Sequence, residues 1–106
     1  MTANSPDQVR QALRAHQAMV ILRLLDGALL GTANDRMLAT ILDVLGLRTA
    51  RAELKEMLDL LEREGAVETT QRDTLVVVRL KHHGHELAQG LVTADGIERP
   101  SAECPY

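Results

Sequence analysis

LRTARAELKEMLDLLEREG, residues 47–65, reads as one helix. Thr49 is the expected N-cap, because its hydroxyl can accept from the first free backbone N–H groups. Gly65 is the expected stop, because glycine turns left-handed at no steric cost. Between them Ala50, Leu54, Met57, Leu58 and Leu61 recur at helical spacing and form one apolar stripe. The opposite face carries Ala52, Glu56, Asp59 and Arg63. A helix-turn-helix needs a second helix just before this one. A winged version needs a two-stranded hairpin just after it, and both follow from the flanking sequence.

Upstream, Asp35–Leu45 fits a helix with Leu38, Ile41, Leu42 and Leu45 on its core face, ended by Gly46. Only a few residues separate it from the helix that follows, as in a helix-turn-helix. Thr32 and Asp35 stand at capping-box spacing, with aspartate in place of the usual glutamate. Gly27 and Gly31 bracket a loop. Before it, Ser5-Pro6 is an N-cap followed by proline at the first helical position, and Asp7 suits the positive end of the helix dipole. The first helix should run from about Pro6 to about Asp26, after a frayed end at Met1–Asn4.

Downstream the period changes. Ala66–Gln71 and Thr74–Leu80 are rich in Val and Thr, with Gln71-Arg72-Asp73-Thr74 as the turn between two strands. In the second strand Val76, Val78 and Leu80 share one face, opposite Leu75, Val77 and Arg79. A short helix follows at about His82–Gln89, ended by Gly90. The fold expected is mainly α with a β-hairpin, a winged helix-turn-helix over residues 1–90 with an extended N-terminal helix. Residues 91–106 form a C-terminal tail, either packed and extended or disordered.

The chain has 106 residues, enough for one domain with a modest core. Apolar residues make up 45%, which argues against wholesale disorder. With no Phe or Trp and only Tyr106, the core must be aliphatic. The same absence weighs against single-strand binding by base stacking. Formal net charge is −3, whereas phosphate neutralisation usually asks for a basic surplus. Cys104 is the only cysteine, so no intrachain disulfide or thiolate metal site can form, and a reducing cytoplasm is expected. The longest apolar run, Ala18–Leu22, is too short to span a bilayer, and the N-terminus does not read as a signal peptide.

Function divides into two readings. A base-reading helix wants cations and amides near its N-terminal half. Arg48, Thr49, Arg51 and Lys55 fit, with Arg72 at the hairpin tip as a phosphate contact, making double-stranded DNA the first candidate partner. Against this, residues 49–64 hold the cations Arg51, Lys55 and Arg63 but the anions Glu53, Glu56, Asp59, Glu62 and Glu64. On a solvated helix these would form spacing-four pairs such as Lys55–Asp59 and Asp59–Arg63. The alternative is therefore a protein-interaction module on the same scaffold. The first helix supports that alternative, since AMVIL followed by LL is apolar on nearly every side and asks for a second burial partner. A second copy of the chain would meet it at Val9, Leu13, Val20, Ile21 and Leu24, with QVRQALRAH as the dimer arm. Cover by the C-terminal segment is the other solution.

KHHGHE places His82 and Glu86 four apart and His82 and His85 three apart, spacings that could hold a divalent metal. No further ligand is placed by sequence, and no metal or cofactor is assigned. The chain has no nucleophile elbow, phosphate-cradling glycine loop or HExxH, so an enzyme is not expected.

Four stretches, HQAMVILRLL (16–25), LDVLGLRTARAELKEMLDLLEREGAVE (42–68), LKHHGHELAQG (80–90) and GIERP (96–100), resemble a family of small winged-helix proteins of Mu-like phages and prophages. The resemblance covers about Ala15 to Pro100, and the ending Gly-x-x-Arg-Pro after such a core is unusual. It implies a winged helix-turn-helix fold in a phage-related cytoplasmic protein, and it brings no site residues. The chain departs from the family at Leu80-Lys81, where relatives usually read Leu-Thr.

Overall fold

The computed structural model describes residues 5–100, so the ends expected at Met1–Asn4 and beyond Pro100, with Cys104 and Tyr106, lie outside the described residues. The chain is mainly α with a small three-stranded antiparallel sheet. Its elements are α1 (Pro6–Asp26), β1 (Thr32–Asn34), α2 (Asp35–Val44), α3 (Arg51–Arg63), β2 (Val67–Arg72), β3 (Leu75–Leu80) and α4 (His82–Ala88). A single 3-10 turn, Leu29–Gly31, joins α1 to β1.

The start of α1 is built as its sequence asks. The Ser5 hydroxyl accepts from the Gln8 N–H at 3.2 Å, and the Ser5 N–H donates to the Gln8 side chain at 2.9 Å. From Gln17 to Leu22 every residue is buried, and so is Leu25. This all-round apolar segment finds its partners inside its own chain, where α3, α4 and β3 pack around it. Val20 and Ile21 are 0% exposed, and Leu24 is half-buried against the core. Val20 and Ile21 are therefore not free for a second copy of the chain, and Leu24 is only partly so. Of the five expected interface residues, only Val9 (54% exposed) and Leu13 (46%) remain open.

Two caps differ from expectation. Asn34, not Thr32, caps α2, its side chain accepting from the Met37 N–H at 2.8 Å. Asn34 stands three residues before Met37, the reach that an N-cap needs. Thr32 lies instead in β1, a strand where the start of a helix was expected, which pairs antiparallel with β3 in the register Thr32↔Arg79, Ala33↔Val78, Asn34↔Val77. The sheet order is β1-β3-β2. Three residues are too few to display a period of their own, so β1 exists because β3 offers it an edge.

At α3 the N-cap is Ala50, which is exposed and makes no side-chain cap. Thr49 is occupied elsewhere. Its hydroxyl donates to the Leu47 carbonyl at 2.9 Å and accepts from the buried Gln17 amide at 2.9 Å, and that amide also donates to the Leu47 carbonyl at 3.2 Å. A buried amide left unpaired costs about 1–3 kcal/mol, so Gln17 holds the α2–α3 connection against α1. Leu54, Met57, Leu58 and Leu61 are buried as expected, and Gly65 ends the helix at φ 81°.

β2 and β3 form a hairpin closed by Asp73-Thr74, with Arg72 paired to Leu75. Val67 and Val78 face the core. The chain then turns into α4, where Gly84 lies against the backbone of Ala66. Residues 91–100 run back over α1, with Ile97 in the core and the Glu98 N–H donating to the Ala15 carbonyl at 3.1 Å. Packing thus continues past residue 90, to Pro100 beside Gly90. No helix among the described residues is long and apolar enough to cross a membrane.

A methyl group on Gly84 would stand 2.2 Å from the Ala66 carbonyl oxygen and 2.6 Å from Leu80 Cδ1. Alanine normally improves a helix by about 1 kcal/mol over glycine. Here the obstacle is backbone, which cannot swing aside, and overpacking of that kind costs about 1–3 kcal/mol. Gly84→Ala should therefore lower stability in urea unfolding, against its helix propensity. A variant as stable as the parent would refute the close approach.

Candidate nucleic-acid interface

α3 packs its buried stripe on the core and lies beside the hairpin on one flank and α1 on the other. The helical wheel divides its charges between these flanks. Arg51 and Lys55 face the hairpin, where they share the lining of a cleft of about 630 Å³ between α3 and the sheet. Arg51 also lines a smaller hollow of about 180 Å³, together with Thr49, Arg36 and Thr74. The structure thus brings Thr49, Arg51 and Lys55 to one side of the molecule. Arg48 and Arg72 are exposed but line neither hollow. Among the described residues, no ion pair involves Arg36, Arg48, Arg51, Lys55 or Arg72.

The carboxylates of α3 are spent elsewhere. Arg14, reaching over from α1, holds Glu56 at 3.1 Å and Glu53 at 3.6 Å. Glu62 accepts from the Thr69 N–H and the Thr69 hydroxyl, each at 2.9 Å. Those two hydrogen bonds, the backbone one first, hold its carboxyl below the ordinary glutamate range, with the charge of Lys81 adding to the effect. They also cap an outward-facing N–H of the edge strand β2, a group that would otherwise invite pairing with another chain. Glu64 faces His83 at 3.5 Å. Only Asp59 is without such a partner among the described residues. The expected pairs Lys55–Asp59 and Asp59–Arg63 are not formed, and the acids of this helix that do have partners find them on α1, β2 and α4.

Arg36 escaped the sequence reading. It stands at the start of α2, far in sequence from Arg51, and only the packing of α2 against α3 and β3 sets the two side by side. Asp35 beside it is already committed, its Oδ1 accepting from the Val76 N–H at 3.1 Å and the Arg36 N–H at 3.0 Å.

The histidines do not converge. His82 faces Glu86 at 3.8 Å, His83 faces Glu64 at 3.5 Å, and His85 Nδ1 meets Asp26 at 2.5 Å. His16 meets Glu98 of the C-terminal segment. Among the described residues no three His, Cys, Asp or Glu side chains are grouped to hold a metal. The Asp26 contact joins the end of α1 to α4, and Gln89 adds a hydrogen bond to Asp26 at 2.6 Å.

Burial pushes the Asp26 carboxyl up, but the hydrogen bonds from His85 and Gln89 and the charges of His85 and Arg23 outweigh it and hold the group below its ordinary range. A carboxyl depressed by folding stabilises the fold above its unfolded value of about 3.9 and loses that contribution as pH falls through the folded value. Asp26→Asn should therefore cost on the order of 1 kcal/mol at neutral pH. Denaturant unfolding at pH 7 and pH 3 checks this, and the gap between the two proteins should narrow at the lower pH. Comparison with protein-family models, with curated proteins and with solved structures finds no match for this chain.

Proposed function

We propose that this chain is a winged helix-turn-helix protein that associates with duplex DNA, with α3 entering the major groove and the β2–β3 hairpin as its wing. The order of elements supports the fold, since two helices joined by a short connection are followed directly by a two-stranded ribbon. The observation that carries the function is the sorting of charge on α3. Arg51 and Lys55 stand free of ion pairs on the hairpin flank, while Glu53 and Glu56 are turned to Arg14 on the other. A phosphate backbone approaching from the hairpin side meets Arg51 and Lys55 there, beside Asp59, whatever the net charge of −3. Arg48, Arg36 and Arg72 extend the same surface, Arg36 from the start of α2 and Arg72 from the wing tip. Such a protein fits the resemblance to Mu-like phage proteins, a role near transcription and a cytoplasmic setting.

A second reading, a protein-interaction module, is favoured by the arm of α1. Residues 5–13 are exposed throughout, with Val9 and Leu13 one turn apart on the same strip. A helix capped this fully yet uncovered along its first turns suits pairing with a second copy of the chain. The two readings are compatible, since a dimer would present two copies of α3.

Fluorescence anisotropy with a generic duplex tests the first reading. Binding should weaken steeply between low and physiological salt. Replacing both Arg51 and Lys55 with alanine should weaken it at low salt and flatten the logarithmic salt slope by about 2. Binding that the double substitution leaves unchanged overturns the assignment. For the arm, light scattering at tens of micromolar should report a dimer, which Leu13→Glu converts to monomer.

A further inference from the structure

Four of the large apolar side chains that the fold leaves exposed lie on α1 and α2, and they belong to two strips of the same spacing. On the arm of α1 the strip is Pro6, Val9 and Leu13, at steps of three and four residues. On α2 it is Met37, Ile41 and Val44, at steps of four and three. Met37 is 52% exposed and Val44 81%. Ile41, which the sequence places on the core face, is partly exposed and stands outside the packed core. The reason is helical phase. Leu38 and Leu42 face the core, and the Met37–Ile41–Val44 strip is turned about 100° from them. Each strip runs along two turns of helix, ~10 Å. Neither covers the other within one chain, since both are open.

Charge decides how the strips meet. On the helical wheel Asp7 and Arg10 share one flank of the arm strip, and Arg36 and Asp43 share one flank of the α2 strip. All four are exposed, and among the described residues none is in an ion pair. From N- to C-terminus the signs run minus then plus on the arm, and plus then minus on α2. Parallel packing brings the two charged flanks together, with Asp7 near Arg36 and Arg10 near Asp43, and antiparallel packing parts them. The same parallel register sets Pro6 against Met37, Val9 against Ile41 and Leu13 against Val44. Pairing of the arms alone would engage three apolar side chains from each copy, few against the roughly 20–30 residues a side of a stable interface. A reciprocal exchange engages six. We propose that the chain dimerises by such an exchange, the first two turns of each α1 lying parallel on the Met37–Ile41–Val44 strip of the other copy. This rests on the dimer reading of the arm and names the surface that receives it. Only Arg36 is common to this interface and the DNA-facing surface.

The test is the oligomeric state of the full chain, read by light scattering at tens of micromolar. Val44→Glu should turn the dimer into a monomer, as Leu13→Glu does. Both side chains are exposed, so the variants keep their core, and thermal unfolding checks that they do. Asp43→Arg should weaken dimerisation about tenfold, because a two-fold dimer holds the contact with Arg10 twice. Adding Arg10→Asp to that variant should restore the dimer. The register is read by cross-linking on a Cys104→Ser background. Leu13→Cys and Val44→Cys together should give a disulfide-linked dimer under mild oxidation, and neither alone should. A dimer lost in Leu13→Glu but kept in Val44→Glu overturns the α2 surface and leaves the arms pairing with each other, as does a Leu13→Cys chain that links to itself. A parent chain that is monomeric at these concentrations overturns the dimer reading and the exchange with it. Assemblies larger than two copies overturn the reciprocity, because only a closed exchange stops at a dimer.

Discussion

The largely buried segment from Gln17 to Leu25 in α1 is the surface on which the rest of the molecule is assembled. α3 meets it on one side, α4 and β3 on others, and residues 91–100 close over the helix near Ala15. In a chain without Phe or Trp, no single large side chain can fill the centre. The core is instead made of many aliphatic contacts, which requires one helix to be surrounded on nearly all sides. Gln17, the buried polar side chain of this run, is not wasted: it ties the α2–α3 connection to the central helix and so sets where α3 begins.

That arrangement divides α1 into two halves with different physical roles. The second half is core, and nothing outside the chain can reach Val20 or Ile21. The first half is a capped rod, exposed up to Leu13, and it meets the rest of the chain at its inner end, where Arg14 reaches α3 and Ala15 and His16 hold the segment around Glu98. Continuity explains why so exposed a segment is helical. The buried turns have already met the cost of nucleation, and each added residue gains a backbone hydrogen bond.

Net charge is a poor guide to this surface. The chain is acidic overall and so is α3, yet most of the acids of α3 are spent on contacts with other elements. Arg14, Thr69 and His83 each take carboxylates from the faces that turn toward α1, β2 and α4. Individually such exposed pairs contribute little stability, about 0–1 kcal/mol. Their larger effect is on the field, since on the hairpin flank they leave Arg51 and Lys55 without ion pairs, with Asp59 beside them and Arg36 at the adjoining smaller hollow. The histidines follow the same pattern, each matched to a separate carboxylate, which spreads them over the molecule instead of gathering them into a ligand set.

Much of this was legible in the residues themselves. The span of α1, its Ser5-Pro6 start, the buried stripe from Leu54 to Leu61, the Gly65 stop, the hairpin and the short helix before Gly90 are all local signals, carried by capping chemistry and by periods of 3.6 and 2. The five candidate contact residues could be named because Arg51 and Lys55 belong to α3, Arg72 to the hairpin, and Arg48 and Thr49 to the short connection before α3. The rest depended on contacts between distant segments. β1 is a strand only because β3 lies beside it. Thr49 gives up its cap because Gln17, thirty-two residues earlier, competes for its hydroxyl. Arg36 joins Arg51 only when α2 packs on α3, and Val20 and Ile21 leave the surface only when α4 and β3 cover them. Local sequence sets backbone preference and the apolar period. Which charges are cancelled, which apolar faces are covered and which cleft stays open are decided by what the folded chain brings within a few ångströms.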